Sequence, residues 1–299
     1  MFSGQGAQYP GMGRGLYESS PAAKEVFDLA EAIRPGTIEQ CFSGSVDELE
    51  MTANTQPCIF CVDLAAAAAL KEAGVQANML AGFSLGEIAA LAFSGAVSFE
   101  TGFKLVCKRA EFMQKAADSV DAGMVAVLKL PEETVAALCA GYQNVYPVNY
   151  NCPGQIVVAG ARGELEAFKL VVKEAGGKAL PLKTGGGFHS PFMASAAEDF
   201  FEELKAIEIL PPKIPLYSNV TAKPYDGDYK ELLSKQICSP VLWQAAVEDM
   251  IRSGAGTFIE VGPGKTLGGL VSRITDKASV FNVEDFESLK RTCEELDGY

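Results

Sequence analysis

NMLAGFSLGEIAALAFSGAV, residues 78–97, carries three local signals in succession. The apolar run MLAGF predicts a strand, the glycine-flanked GFSLG a tight turn, and EIAALAFSGAV a buried helix of small residues. Glu87 and the Gly and Ser residues interrupt the apolar run, so it does not read as a membrane span. Just upstream, residues 62–74 read as an amphipathic helix closed by Gly74. Strand and helix alternating in this way predict an α/β fold with a mostly parallel sheet.

Downstream the pattern changes. Residues 124–130 predict a strand, and Pro131 opens a helix, PEETVAALCAG, at its first turn. Residues 146–150 and 155–159 are β-rich runs around the turn residues 151–154. A helix over 164–175, closed by Gly176 and Gly177, leads to a strand at 178–182. The order βαββαβ is ferredoxin-like. Residues 121–187 are therefore expected to form an inserted subdomain, with 1–120 and 188–299 making the core. Gly185, Gly186 and Gly187 are read as its flexible return. Beyond it the sequence predicts helices at 194–207 and 243–253, strands at 216–218 and 257–261, and a solvated helix over 284–296.

The bulk numbers set outer limits. A chain of 299 residues, 48% apolar and 21% charged, fits a soluble globular protein. Asp and Glu outnumber Lys and Arg by 38 to 25, giving a net charge of −13. Nonspecific nucleic-acid binding depends on cationic side chains displacing counterions, so that class is excluded. No basic segment followed by an apolar run opens the sequence, and a cytoplasmic chain with reduced thiols is expected. The eight cysteines are irregularly spaced. Only Cys58 and Cys61 lie close together. A zinc site would need further ligands at a matching spacing, and the chain has one histidine, so no metal is expected. The pair reads as buried thiols one helical turn apart.

Gly82-Phe83-Ser84-Leu85-Gly86 fits G-x-S-x-G. A nucleophile placed on a sharp strand-to-helix bend has its hydroxyl exposed, and the helix behind it favours a developing oxyanion. The pentapeptide alone could equally be an ordinary Gly-Ser turn; its position between an apolar run and a helix makes it a candidate nucleophile. A serine hydroxyl needs a base, and His189 is the only imidazole available. It sits in GGGFHSP, a loop ahead of a helix. No acidic residue stands out as its partner, and a backbone carbonyl could orient the ring equally well. Two other glycine-rich loops fail as nucleotide sites. GQGAQ at 4–8 lacks the GxGxxG spacing, and GPGKT at 262–266 has Ile259 where a P-loop needs glycine.

Taken together and in order, GQGAQ at 4–8, GFSLGE at 82–87, KRAEFMQ at 108–114 and NYNCPGQIVVAG at 149–160 form one set with FHSPFM at 188–193, SNVTA at 218–222, KQICSPVLW at 235–243 and EVGPGKTL at 260–267. With these the chain resembles the malonyl-CoA:acyl carrier protein transacylases of fatty acid synthesis and the related acyltransferase domains of polyketide synthases. The resemblance implies an α/β-hydrolase-like core with a ferredoxin-like insert. It implies Ser84 as the acylated nucleophile, His189 as base, and the main-chain carbonyl of Gln236 as the group orienting His189. It also implies the Gln5 and Leu85 amides as oxyanion hole, Arg109 as the clamp on the malonyl carboxylate, and Asn151 and Gln155 as further substrate-binding residues. Phe188 resembles the malonyl-selecting form of the polyketide domains. Family members commonly carry His at the position of Phe83, and the strand usually ahead of GQG is here Met1 and Phe2.

The expected chemistry is transfer of a malonyl group from malonyl-CoA to the phosphopantetheine thiol of acyl carrier protein, with no metal or redox cofactor. The carrier in this family is acidic, so a basic rim is expected from Lys183, Lys265, Arg273 and Lys277. A serine esterase or thioesterase with the same elbow, a non-enzymatic docking domain, and an acyltransferase serving a polyketide pathway are the alternatives.

Overall fold

In the computed structural model, which describes residues 1–297, a loop leads into α1 (Arg14–Ser19), α2 (Pro21–Ile33), α3 (Thr37–Ser43), α4 (Val46–Glu50) and the long α5 (Thr52–Glu72). β1 (Leu80–Ala81), α6 (Gly86–Phe93) and α7 (Phe99–Asp118) follow. The middle of the chain carries β2 (Ala122–Leu128), α8 (Glu132–Cys139), β3 (Val145–Cys152), β4 (Gln155–Ala161), α9 (Arg162–Glu174) and β5 (Lys178–Pro181). The remainder is α10 (Ala194–Lys205), β6 (Leu216–Tyr217), α11 (Tyr229–Gln236), α12 (Trp243–Arg252), β7 (Thr257–Val261), α13 (Thr266–Ile274), β8 (Ser279–Val283) and α14 (Phe286–Asp297). The α/β class expected from the sequence is what the chain adopts.

Residues 1–3 hold the core sheet together. β1 pairs in parallel with β6, and β7 with β8. Phe2 forms parallel bridges to both Gly82 and Val261 and so joins the two pairs. Its N–H donates to Ala81 O at 2.9 Å, and its carbonyl accepts from Phe83 N at 3.0 Å. On the other side Ser3 N donates to Val261 O at 3.3 Å. The parallel run reads β6, β1, residues 1–3, β7, β8. This central position delivers the loop that follows, Gly4 to Gln8, beside the turn after β1.

The second sheet is antiparallel, in the order β3-β4-β2-β5, with α8 and α9 packed against it. Alternate residues of its strands meet α9 in a separate apolar core that includes Val125, Val127, Ile156, Val158 and Phe168. Its outer strand β3 is tied back to the main body, where Tyr150 N donates to Val241 O at 2.9 Å and Val241 N to Val148 O at 2.8 Å.

Several local expectations are corrected. The helix read at 62–74 begins ten positions earlier, at Thr52, and carries Pro57 inside it. It is buried on nearly every side rather than amphipathic, with residues 55–67 buried without a break, because α2, α6 and α7 pack around it. Such a helix is long and apolar enough to cross a membrane, and here its apolar surface is spent on the protein interior. α6 stops at Phe93, four residues short of the expected end, where Gly95 turns the chain at φ 76°. In the return loop Gly185 is exposed with open space around it, while Gly186 and Gly187 are packed. A Cβ on Gly186 would lie 2.6 Å from the Ala117 methyl, and one on Gly187 2.7 Å from the Phe192 ring. The C-terminal helix docks one side, burying Ser288, Leu289 and Thr292 against the fold.

Gly86 has no room for a side chain, because a Cβ there would overlap the carbonyl oxygens of Phe2 and Ser3. Gly86→Ala should lower the free energy of unfolding by about 3 kcal/mol, the scale of overpacking a rigid interior. Urea denaturation measures it; an unchanged midpoint would contradict the close approach of α6 to the first strand.

Candidate active site

The nucleophile turn is built by close approach. Gly82 and Gly86 face each other across it, and a Cβ on Gly82 would overlap the Gly86 carbonyl. Between them Ser84 sits at φ 55°, in the left-handed region that L-residues with side chains adopt only under constraint. The bend turns the chain from β1 into α6 and leaves Ser84 only 8% exposed.

His189 also has left-handed backbone, at φ 60°, and is buried. Ser190 fixes the loop around it: its hydroxyl donates to Gly187 O at 2.5 Å and accepts from Phe192 N at 3.3 Å. His189 Nε2 lies 2.7 Å from Ser84 Oγ, and Nδ1 lies 2.9 Å from the carbonyl oxygen of Gln236. A carbonyl can only accept, so the ring proton belongs on Nδ1. Nε2 is then free to accept from the serine hydroxyl. Burial, reinforced by the Arg109 charge, pushes the imidazole down to about 4, so it is a neutral base at neutral pH.

Arg109 projects from the buried side of α7 and is fully enclosed. Its Nη1 donates to Gln56 Oε1 at 2.7 Å. Its Nη2 donates to Gln236 Oε1 at 2.7 Å and to Ser84 Oγ at 3.2 Å. Nε has no partner, and among the described residues the guanidinium forms no ion pair. Burial lowers its pKa to about 10, which still leaves it charged. A cation met only by neutral oxygens, one of them the Ser84 hydroxyl, has the chemistry to pair with a carboxylate.

Gln5 and Leu85 lie next in sequence to the two segments that meet at this turn. Gly4 packs so closely on the nucleophile turn that a Cβ would lie 2.8 Å from Phe83 O. Gln5 follows it, and Leu85 is the residue just ahead of α6. Among the described residues neither backbone N–H donates to a protein acceptor. The remaining sequence candidates divide. Phe188 is buried in the main core beside His189. Asn151 lies buried on β3 with its Oδ1 unpartnered, as does Asn149. Gln155 is not brought into hydrogen-bonding contact with the serine cluster. It is the first residue of β4, opposite Cys152 at the end of the hairpin, where Oε1 accepts from Arg273.

Beneath the turn lies a polar network that the sequence reading missed. Asn219 Oδ1 accepts from Ser84 N at 2.8 Å, and its Nδ2 donates to Gly82 O at 2.7 Å. Gln236 Nε2 donates to Ser84 O at 2.7 Å and to Glu87 Oε2 at 3.0 Å. Glu87 also accepts from Asn219 N at 3.0 Å and from the Tyr225 hydroxyl. Burial raises its carboxyl to about 7 against these donors. The available signal was a polar residue inside an apolar helix, Glu87 in α6 and Gln56 in α5. A cavity of about 550 Å³ lined by Leu70, Met79 and Phe258 lies where β1 and β7 begin and includes none of these groups.

A serine paired with a histidine at the head of a buried helix has the geometry of an enzyme that moves acyl groups through a serine ester. The chain belongs to the acyl transferase domain family, whose pattern it matches over residues 1–290. It is 38% identical over 304 residues to the malonyl CoA-acyl carrier protein transacylase of Bacillus subtilis (strain 168), covering 99% of this chain and 96% of that one. The solved structure of the malonyl CoA-acyl carrier protein transacylase from Clostridium perfringens superposes with a TM-score of 0.96 at 41% identity, covering 99% of this chain and 96% of that chain. A malonyl-transacylase in complex with a type II polyketide acyl-carrier protein superposes at 0.95 with 32% identity, covering 98% of each chain.

An imidazole lowered to about 4 keeps its base form through the range in which an ordinary histidine, near 6.5, would lose it. Labelling of Ser84 by a serine-directed fluorophosphonate should hold level from about pH 8 to about pH 5, then fall. A midpoint near 6.5 in the rate profile would contradict the buried, neutral ring.

Proposed function

We propose that the chain transfers a malonyl group from malonyl-CoA to the phosphopantetheine thiol of an acyl carrier protein, through an ester on Ser84. The observation that carries this reading is Arg109: an enclosed guanidinium without a carboxylate, 3.2 Å from the reactive oxygen. An acyl group ending in its own carboxylate supplies the missing anion. An acetyl group leaves the cation unpaired, which disfavours it.

Ser84 Oγ attacks the thioester carbonyl while His189 Nε2 takes its proton. The Gln5 and Leu85 amides hold the tetrahedral oxyanion. As the carbonyl re-forms, His189 returns the proton to the departing CoA thiolate, leaving malonyl-Ser84. The carrier thiol then enters, gives its proton to His189, and the same steps run back to release the acylated carrier and the serine hydroxyl. The scheme asks for no metal or redox cofactor. Asn151 belongs to the reading as a substrate contact, supported by its unpartnered buried oxygen. Phe188, packed beside the base, belongs to it as the residue excluding branched acyl groups. Gln155 is kept only as an outer contact, through Arg273.

The proposed division is an α/β-hydrolase-like core over 1–120 and 188–299 with a ferredoxin-like subdomain over 121–187, working in the cytoplasm. The strand order β3-β4-β2-β5 and the parallel run through Phe2 support it. Lys183, Lys265, Arg273 and Lys277 make the basic rim for the acidic carrier. Lys183 and Lys265 are exposed and reach carboxylates only at 4.0 Å, which leaves their charge available to a partner.

Ser84→Ala should abolish the mass increase of one malonyl group after incubation with malonyl-CoA; a persistent adduct refutes the nucleophile. Arg109→Ala should lower kcat/KM for malonyl-CoA about 1000-fold while raising acetyl-CoA turnover, as expected when a buried charge-assisted pair is lost. Parallel losses for both substrates would remove Arg109 from acyl selection. Reversing all four rim charges should weaken transfer and flatten its salt dependence, read from initial rates across an ionic-strength series.

A further inference from the structure

We infer that Asn219 is a positioning residue for the nucleophile, its carboxamide continuing the β1–β6 ladder after the backbone has stopped doing so. Regular pairing ends at Ala81 opposite Tyr217, because Ser84 leaves strand geometry at φ 55°. Two residues beyond the end of β6, the Asn219 side chain takes over. Its oxygen accepts from Ser84 N–H and its nitrogen donates to Gly82 O, the donor and acceptor pair a strand peptide would present. Asn219 is itself 2% exposed and held from both sides. Its N–H donates to Glu87 on α6, and its carbonyl accepts from Leu242 N at 2.9 Å.

This fixes the peptide ahead of Ser84. The peptide after it is fixed by Gln236, whose Nε2 donates to Ser84 O; the N–H on that peptide belongs to Leu85. With both planes pinned, the serine oxygen and the Leu85 amide keep one relative orientation in an otherwise strained turn. The carboxamide carries its acceptor and its donor on two separate atoms: ionised Asp lacks the donor, and Ala and Leu lack both.

The inference rests on the acyl-transfer reading, and the experiment separates the two. Single-turnover acylation of Ser84 by malonyl-CoA is followed by intact mass in the parent, Asn219→Ala and Asn219→Asp. Asn219→Ala should slow acylation about 100-fold, the penalty of an ångström-scale misplacement, with the half-saturating malonyl-CoA concentration changed by less than about threefold. The fraction of molecules finally acylated should stay that of the parent. A rate within about threefold of the parent, or a loss expressed only in that fraction or in half-saturation, overturns the assignment.

Asn219→Asp supplies an independent readout and decides the matter if the alanine variant does not fold. Its carboxylate keeps the acceptor for Ser84 but sets a second oxygen against Gly82 O. Protonation restores the donor, so its rate relative to the parent should climb at least about fivefold from about pH 8 to about pH 6. Glu87 from α6 contacts Asn219 directly, and Tyr225 after β6, Arg109 from α7 and His189 from its loop join the same network through Glu87, Gln236 and Ser84. Their titration is present in the parent, whose profile is the reference. A flat ratio overturns the assignment. Should the parent itself not be acylated by malonyl-CoA, the malonyl reading fails alone. The same variants are then compared with a serine-directed fluorophosphonate, on which the same slowing and the same pH trend are expected, and their absence overturns the positioning role.

Discussion

A 2.7 Å separation between Ser84 Oγ and His189 Nε2 joins two residues 105 positions apart, each held in left-handed backbone. Neither conformation is favourable by itself; together they cost on the order of a few kcal/mol. Both persist because their surroundings over-determine them. The serine turn is clasped between α6, the first three residues and Asn219. The histidine loop is clasped by Ser190 and by glycines pressed against Ala117 and Phe192. Much of the core architecture can be read as bracing for this one contact.

The charges around it are arranged to stay unbalanced. Arg109 is met by the oxygens of Gln56, Gln236 and Ser84, all neutral, while Glu87 is separated from it by the Gln236 carboxamide. That carboxamide donates to the Glu87 carboxyl and accepts from the Arg109 guanidinium, so it transmits polarity between them without letting them pair. A direct Arg–Glu bridge would have been easier to bury. It would also have consumed the cation. Retaining a net positive field beside the imidazole is also part of what lowers the pKa of His189.

The chemistry was more legible in the sequence than its supports. GFSLG between an apolar run and small-residue helix marks a nucleophile turn by steric logic alone. A single histidine leaves no choice of base. The carbonyl that orients His189 has no sequence signature, because any residue carries one; the motif around Gln236 was needed to find it. Residues 1–3 are too few to register as a strand, yet they join the two halves of the parallel sheet. Pro57 hid the start of α5, since a proline usually ends a helix rather than riding inside one. Asn219 reads locally as a turn former, and its partners are 135 and 137 positions away. Gln155 shares a motif with Asn151, but lying at the tip of the hairpin separates them.

A main-chain carbonyl rather than a carboxylate behind His189 has a consequence for the energetics of exchange. An imidazolium formed here gains no buried counter-ion from its orienting partner and is repelled by Arg109, so it is more acidic than an ordinary imidazolium and surrenders its proton more readily. Thiolates are good leaving groups and weak bases compared with amines or alkoxides, and they need no more help than this. On the proposed chemistry both the arriving and departing groups are thiols of the same kind. The barrier is then nearly symmetrical, and the direction of flow is set by which thioester is more abundant.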